Sequence, residues 1–291
     1  MTRFLSGLPG WVQYPLPQHL ISRLVYRATR IRVRWFKNAL IRTFVHVYGV
    51  DLREAETASP DAFATFNEFF TRPLRSGARP TTDAPDALTA PVDGELSGFG
   101  TIEDGMLLQA KGRAYALTDL LGGDAALAAR FGRGLYATLY LAPRAYHRVH
   151  LPFGGRLGEM LFVPGRLFSV NEATARSVPR LFARNERVAA IFETAIGPLG
   201  IVLVGALCVG SIETVWAGQV TPGGGRQPAR WLYAAHGGEA IHYERGAEIG
   251  RFNMGSTVIV LLPEARACWN DDLRDGQRIH VHEPIGRARP S

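Results

Sequence analysis

The amino-acid sequence predicts an α+β protein with a mostly antiparallel, sandwich-like β core and N-terminal amphipathic helices. Beyond residue 50, short apolar runs alternate with glycine and proline, which is typical of strands joined by turns. Before residue 50, apolar residues recur at helical spacing. The chain has 291 residues, 46% of them hydrophobic, so it is long enough to bury one large core or two modest ones.

A first helix is predicted after Pro17, with one apolar and one basic stripe. The apolar stripe contains Leu20, Ile21, Leu24, Val25 and Ala28, and the basic stripe contains Arg23, Arg27 and Arg30. A second helix is predicted from the apolar repeat Trp35, Phe36, Ala39, Leu40, Thr43, Phe44 and Val47. Basic amphipathic helices suit the surface of an anionic membrane. A basic surface helix packed on its own domain gives the same pattern.

Positive charge is concentrated in this segment. Residues 1–50 contain no acidic side chain and eight basic ones: Arg3, Arg23, Arg27, Arg30, Arg32, Arg34, Lys37 and Arg42. The rest of the chain is nearly neutral, because 25 of the 33 basic residues and all 26 acidic residues lie there. A nucleic-acid partner is therefore disfavoured. We predict an anchoring segment over residues 1–50 and a β-rich domain over residues 51–291.

The uncharged stretch 194–212 approaches the length of a membrane span. It is interrupted by Gly197, Pro198, Gly200, Gly205 and Gly210, so two buried strands are predicted there and the protein is expected to be peripheral. Glycine and proline also interrupt any export signal before residue 18. Only Cys208 and Cys268 are present, too few for a secreted disulfide scaffold, which favours a reducing, cytosol-facing location.

The β-rich domain contains two predicted helices, Ala62–Phe70 after a Ser59-Pro60-Asp61 cap and Leu117–Arg130. Its clearest predicted strands are Leu135–Leu141, Ile201–Cys208, Ile212–Trp216 and Thr257–Leu262. The segment 78–90, rich in Pro, Asp, Ala and Thr, is the candidate joint between the helical part and the β-rich domain.

The dipeptide Gly255-Ser256 stands at the beginning of an apolar strand. A serine hydroxyl in this position can attack the carbonyl of its preceding residue when a base removes its proton. Glycine tolerates the distorted backbone that this attack requires. Taken alone, Gly-Ser-Thr is a common tripeptide, and a turn before a strand is by far its more usual explanation.

Candidate acid–base residues lie elsewhere in the chain. His147 and His150 stand three residues apart, and Asp93 lies in a Pro-Val-Asp-Gly turn. Histidine titrates near neutrality and is often oriented by a carboxylate. The alternatives are a metal pair or polar surface for the histidines and a turn-forming role for Asp93. His280 and His282 would share one face of a strand and could imitate a metal site, but we expect an exposed strand and no metal.

Together these motifs resemble the bacterial, membrane-associated phosphatidylserine decarboxylase family. Further strings carry the resemblance through most of the chain: Phe66-Asn67-Glu68-Phe69-Phe70, Lys111-Gly112 with Tyr115, Phe168-Ser169-Val170-Asn171, Leu181-Phe182-Ala183-Arg184-Asn185-Glu186-Arg187 and Gly210-Ser211-Ile212-Glu213-Thr214-Val215-Trp216-Ala217-Gly218. So many unusual strings in family order are very specific.

The resemblance implies a precursor that cleaves itself between Gly255 and Ser256 into a β chain (1–255) and an α chain (256–291). Ser256 would become a covalent pyruvoyl group, which forms a Schiff base with the substrate amine and takes up the electrons released with carbon dioxide. His150 with Asp93 behind it would be the base for self-cleavage, in an arrangement similar to a protease triad. His147 would act in decarboxylation by returning a proton.

The resemblance also implies partners and location. The substrate would be phosphatidylserine, the product phosphatidylethanolamine, and the site the cytoplasmic face of the cell membrane. A heterodimer of the two chains, paired again as a homodimer, is expected.

The sequence departs from the family at Met254, where leucine is more usual, and at Ala145, where some relatives have an aspartate. Two alternatives stay open: the same chemistry on another serine phospholipid or a soluble amino acid, and a non-catalytic lipid-binding scaffold. The basic N-terminal segment disfavours a soluble substrate. The non-catalytic scaffold is disfavoured because all five candidate residues are present together: Asp93, His147, His150, Gly255 and Ser256.

Overall fold

The structure is a computed structural model that describes residues 10–109, 112–208, 211–222, 225 and 227–289. A 3₁₀ turn at Gly10–Gln13 precedes seven helices: α1 (Gln18–Ala28), α2 (Arg34–Tyr48), α3 (Phe66–Phe70), α4 (Leu117–Leu120), α5 (Ala125–Ala129), α6 (Glu172–Ser177) and α7 (Leu181–Arg184). The first nine strands are β1 (Ala87–Thr89), β2 (Gly94–Thr101), β3 (Met106–Leu108), β4 (Ala114–Ala116), β5 (Leu135–Leu141), β6 (Arg148–His150), β7 (Gly155–Val163), β8 (Arg187–Thr194) and β9 (Gly197–Val204). The other nine are β10 (Ile212–Thr214), β11 (Gly218–Gln219), β12 (Ala229–Leu232), β13 (His242–Tyr243), β14 (Glu248–Phe252), β15 (Ser256–Leu262), β16 (Ala267–Trp269), β17 (Arg278–Ile279) and β18 (Pro284–Ala288).

A nine-stranded sheet organises the main core. Its strand order is β12-β7-β8-β9-β15-β5-β2-β17, with β13 also paired to β7. All strand pairs in the sheet are antiparallel. Strand β15 lies between β9 and β5 and is buried along its whole length, which explains its continuous run of apolar β-branched and leucine residues. Three smaller sheets flank this one, in the orders β1-β18-β16, β11-β10-β14-β6 and β3-β4.

The N-terminal helices build a second, smaller core. Ile41 and Phe44 of α2 pack against the phenylalanines of α3, and Met254 joins them from the far end of the chain. The rings of Phe44 and Phe66 meet edge to face with centroids 5.2 Å apart, a favoured aromatic geometry. The helical part therefore packs directly against the residues that precede Ser256.

The predicted fold class is confirmed, and individual elements need correction. Strand β5 has the predicted bounds, and β15 begins one residue earlier than predicted. The predicted helix 62–70 is shorter, because the side chain of Thr65 caps it by accepting a hydrogen bond from the Glu68 amide. The predicted helix 117–130 is two helices, broken at Gly122 and Gly123, which both have positive φ. The apolar stretch 194–212 contains strands, as expected.

Other predictions fall partly outside the described residues. These are residues 1–9 of the anchoring segment, including Arg3, together with Lys111 and Gly210 of the family strings. Within the described chain, no helix combines the length and the apolar character that crossing a membrane requires. The division into segments 1–50 and 51–291 stays a prediction.

Candidate active site

Ser256 opens strand β15 and is almost completely buried. Its Cα pairs with that of Leu141 on β5, so the central sheet fixes its position. Its Oγ has no hydrogen-bond partner among the described residues. A buried hydroxyl without a partner is unusual because it forfeits its hydration, and it leaves the oxygen free to react.

The backbone just before Ser256 is strained. Met254 has a φ of 111° and Gly255 a φ of 31°, both in the region that side chains with a Cβ avoid. A Cβ at Gly255 would meet no atom within 4 Å, so its conformation rather than crowding accounts for the glycine. Strain of this kind clusters at functional sites.

A hydrogen-bond network holds the strained turn. The Asn253 side chain donates to Ser211 Oγ at 2.5 Å and accepts from Asn67 Nδ2 at 2.8 Å. The Asn253 amide also donates to the Ser211 carbonyl. The sequence interpretation gave these asparagines no role, although Asn67 and Ser211 belong to the family strings, which were the one available signal.

A cavity of about 80 Å³ lies in front of Ser256, and we call it the Ser256 cavity. Its lining is mostly apolar and comes from α2, α3, the β5 end and the segments 169–170 and 206–208: Phe44, Tyr48, Phe70, Tyr140, Leu141, Pro143, Ser169, Val170, Ala206, Leu207, Cys208, Met254, Gly255 and Ser256. Burial raises the pKa of the Cys208 thiol to about 11, so this residue is an uncharged part of the cavity wall.

His147 is fully buried beside the Ser256 cavity. Its ring centroid lies 4.1 Å from that of Phe70, which lines the cavity. Nδ1 lies 2.7 Å from the Ala145 carbonyl oxygen, which can only accept, so Nδ1 carries the proton and Nε2 is the basic nitrogen. Nε2 has no partner among the described residues. Burial, reinforced by the nearby Arg72 charge, lowers the His147 pKa to about 3, so the ring is neutral.

His150 has both ring nitrogens engaged. Nδ1 donates to the Gly246 carbonyl at 2.8 Å, which leaves Nε2 to accept from the Tyr146 hydroxyl at 3.0 Å. Burial lowers its pKa below the usual value. The ring of His282 meets it edge to face, with centroids 5.0 Å apart.

Asp93 lies in a different network. It accepts two hydrogen bonds from Arg79, at 2.6 and 3.0 Å, and a third from the Val281 amide at 2.8 Å. No hydrogen bond joins Asp93 to His147 or His150 in the described chain, so the expected direct Asp93–His150 contact does not form. The physical reason is Arg79, which offers two charged donors where a histidine offers one.

Asp93 and Tyr146 line a second, polar cavity of about 190 Å³, which we call the Asp93 cavity. Because Tyr146 also donates to His150, this tyrosine connects the cavity with His150. The C-terminal histidines lie nearby: His280 lines the cavity, and His282 contacts His150. They occupy the turn between β17 and β18 rather than a strand, with a φ of 71° at His282, so the strand prediction was wrong. No metal-binding cluster occurs in the described part of the chain.

The fold and the site define an α+β protein with a buried, unpartnered serine and a neutral histidine that contacts the wall of the serine's cavity. Comparison with known proteins narrows this class. A family model described as phosphatidylserine decarboxylase matches residues 66–287, and a second, described as PSD, matches residues 8–49. The chain belongs to the phosphatidylserine decarboxylase family.

Curated relatives agree over nearly the whole chain. The phosphatidylserine decarboxylase proenzyme of Methylococcus capsulatus is 51% identical over 278 residues, 96% of each chain. That of Bordetella bronchiseptica is 56% identical over 259 residues, 89% of this chain and 87% of the relative. That of Pseudomonas aeruginosa PAO1 is 51% identical over 283 residues and 96% of both chains.

Proposed function

We propose that this chain is the precursor of a pyruvoyl-dependent carboxy-lyase that converts phosphatidylserine to phosphatidylethanolamine and carbon dioxide in phospholipid biosynthesis. The relatives that support this are phosphatidylserine decarboxylase proenzymes by name. The single observation that carries the proposal is the buried Ser256 Oγ without a partner, which follows a strained Gly255.

Maturation would use Ser256 itself. Its Oγ attacks the Gly255 carbonyl carbon while a base takes the hydroxyl proton, and the peptide becomes an ester. A base then removes the Ser256 Cα proton while the Cβ–Oγ bond breaks, which releases the Gly255 carboxylate and leaves dehydroalanine. Water hydrolyses the dehydroalanine to a pyruvoyl group with loss of ammonia. The site fits this group because Ser256 has no competing hydrogen bond and faces a small apolar cavity.

We assign self-cleavage to His150 and Asp93, acting through Tyr146, which borders the Asp93 cavity and donates to His150. His147 is less suited than His150 to be the base for self-cleavage. A catalytic base works best with a pKa near the working pH, and the pKa of His147 is about 3. We assign to His147 the return of a proton to the substrate α-carbon, because its Nε2 has no competing partner and can take up a proton and pass it on. The pyruvoyl carbonyl supplies the electron sink for loss of the carboxylate.

The two chains would stay together after cleavage. The α chain contributes β15, which has β9 on one side and β5 on the other, as well as β17 and β18, which pair with β2 and β1 of the β chain. Separation would expose an entirely buried strand. A homodimer of this heterodimer is part of the proposal.

The N-terminal helices would attach the enzyme peripherally to the cytoplasmic face of the cell membrane. Several of their large apolar side chains are exposed, including Leu20 (55%), Leu24 (56%) and Trp35 (75%). The face of α1 that packs on the body is polar instead. Gln18 and Ser22 are buried there, and their side-chain oxygens accept hydrogen bonds from the backbone amides of residues 167 and 208. Apolar side chains facing outwards beside arginines match an anionic lipid surface.

Intact mass spectrometry of the wild-type protein and Ser256→Ala tests the cleavage. Two wild-type fragments that divide after Gly255, the smaller blocked to N-terminal sequencing, are expected, with one intact chain for the variant. Release of carbon dioxide from phosphatidylserine vesicles, but not from free serine, tests the substrate. An uncleaved wild-type chain that stays whole with lipid contradicts the proposal and favours the lipid-binding scaffold.

A further inference from the structure

The floor of the Asp93 cavity contains a buried cation without an acidic partner. Arg72 is 5% exposed and lines this cavity. Its two outer nitrogens make only long contacts of 3.4 Å, to the carbonyls of Phe69 and Arg144, and its Nε has no partner among the described residues. Burial lowers the Arg72 pKa to about 10, so the guanidinium is still charged at neutral pH. An unpaired buried charge is costly.

The acids around Arg72 are committed elsewhere. Asp93 and Glu54 both bind Arg79, and Asp51 binds Arg53. Glu95 is the remaining acid of the cavity lining. At the mouth stand Arg144, Arg278 and His280, all exposed, and neither arginine forms an ion pair within the described chain. The unpaired groups of this cavity are therefore mainly cationic.

The cavity also has room beside Arg72. Ala145, whose side chain is a single methyl group, is among the residues that line it. The volume of about 190 Å³ exceeds that of several water molecules. Arginine can bind a planar carboxylate through two of its nitrogens, and the 3.4 Å contacts leave the outer nitrogens of Arg72 only weakly satisfied.

We propose that the Asp93 cavity is a binding site for a small carboxylate-like anion, held by Arg72 beside Ala145. The site is separate from the Ser256 cavity, although the segment 141–146 contributes residues to both. The Arg72 charge lowers the His147 pKa, whereas the Asp93 charge and the hydrogen bond to the Ala145 carbonyl raise it. A bound anion would offset the Arg72 charge. Anion binding therefore makes His147 more basic.

Formate is the probe, and Ser256→Ala is the background, so that binding is measured on an uncleaved chain and does not depend on the proposed reaction. Thermal melting with increasing sodium formate is compared with sodium chloride at the same ionic strength. A saturable rise in Tm specific to formate is expected. The added Ala145→Asp substitution should raise Tm without formate and weaken the formate response at least tenfold, because it supplies the carboxylate.

Arg72→Met should also remove the formate response, whereas Arg266→Met, which removes an exposed arginine outside both cavities, should preserve it. In the cleaved wild-type enzyme, formate should shift the midpoint of the alkaline limb of carbon dioxide release to higher pH, because His147 acts there as the proton donor, and Ala145→Asp should abolish that shift. A formate response equal to that of chloride, one unchanged by Ala145→Asp, or an Ala145→Asp chain that does not fold overturns the proposal.

Discussion

The Ser256 cavity and the Asp93 cavity share one segment of chain and differ in how their polar groups are satisfied. Around Ser256, the two polar atoms suited to chemistry, Ser256 Oγ and His147 Nε2, are buried and have no partner in the described structure. Around Asp93, the carboxylate accepts several strong hydrogen bonds and His150 uses both nitrogens. Unsatisfied atoms are costly for folding and available for reaction, whereas satisfied atoms stabilise the site and set its electrostatics.

The largest expected effect separates the two histidines. His147→Gln should still cleave after Gly255, within about tenfold of the wild-type rate, while carbon dioxide release falls by about 10²- to 10⁴-fold, the usual contribution of an acid–base group. His150→Gln should instead slow cleavage. Intact mass spectrometry follows the first step and carbon dioxide release from vesicles the second. Loss of cleavage in His147→Gln with normal cleavage in His150→Gln would exchange the two roles.

The next effect concerns the Asp93 network. Asp93→Asn should lower the free energy of unfolding by about 3 kcal/mol, because it leaves a buried Arg79 with half its partners; the side chains of Asp93 and Arg79 are each only 9% exposed. Glu54→Gln removes the other carboxylate that pairs with Arg79. The Glu54 side chain is 42% exposed, so this change should lower the free energy of unfolding by under about 1 kcal/mol. Urea unfolding measures both.

Asp93→Asn should also slow self-cleavage, which distinguishes a role in the reaction from a role in stability alone. A variant that is destabilised but cleaves at the wild-type rate at low temperature would make Asp93 purely structural.

The sequence predicted the serine, the strand that carries it and both histidines because those signals are local. An apolar run of five residues, 258–262, identifies β15 wherever it packs, and β5 was predicted to the residue. The partner of Asp93 could not be predicted in this way. Arg79 lies 14 residues away in a segment interpreted as a joint, and the Val281 amide comes from the far end of the chain.

The spacing of apolar residues also did not predict which face of the N-terminal helix α1 contacts the rest of the protein. The apolar stripe of α1 suited either a membrane surface or packing on the protein's own domain. In the structure the body contacts the polar face with Gln18 and Ser22, while Leu20 and Leu24 are exposed. Side-chain hydrogen bonds to backbone groups of the body, such as that of Gln18 Oε1 from the Leu167 amide, decide the orientation.

A smaller effect tests these outward leucines. Leu20→Ser should weaken binding to anionic vesicles by about tenfold, since burying a leucine side chain is worth about 1.5 kcal/mol or more. Leu108→Ser is the matched control, because Leu108 is exposed to the same extent, 55%, and lies outside the N-terminal segment. Vesicle sedimentation measures both variants. Equal losses would remove the N-terminal helices from the membrane interface.

The last effect is the pH dependence of stability that the buried His147 imposes. Its pKa falls from 6.5 to about 3 on folding. Between these two pH values the His147 ring is protonated in the unfolded chain and neutral in the native chain. Stability is therefore intact above pH 6.5 and declines towards pH 3, by up to about 1.4 kcal/mol per pH unit for this one group. His150, whose pKa burial also lowers, contributes in the same direction.

Ser256→Ala is again the background, so that one intact chain unfolds, and adding His147→Gln should flatten the decline between pH 6 and pH 4.5 by about 1 kcal/mol per pH unit. His236→Gln is the control, since it removes an exposed histidine and should leave the slope unchanged. An unaltered slope in the His147 variant would mean that the native site accepts the proton, in which case His147 is a better base than its burial indicates and could take part in cleavage as well.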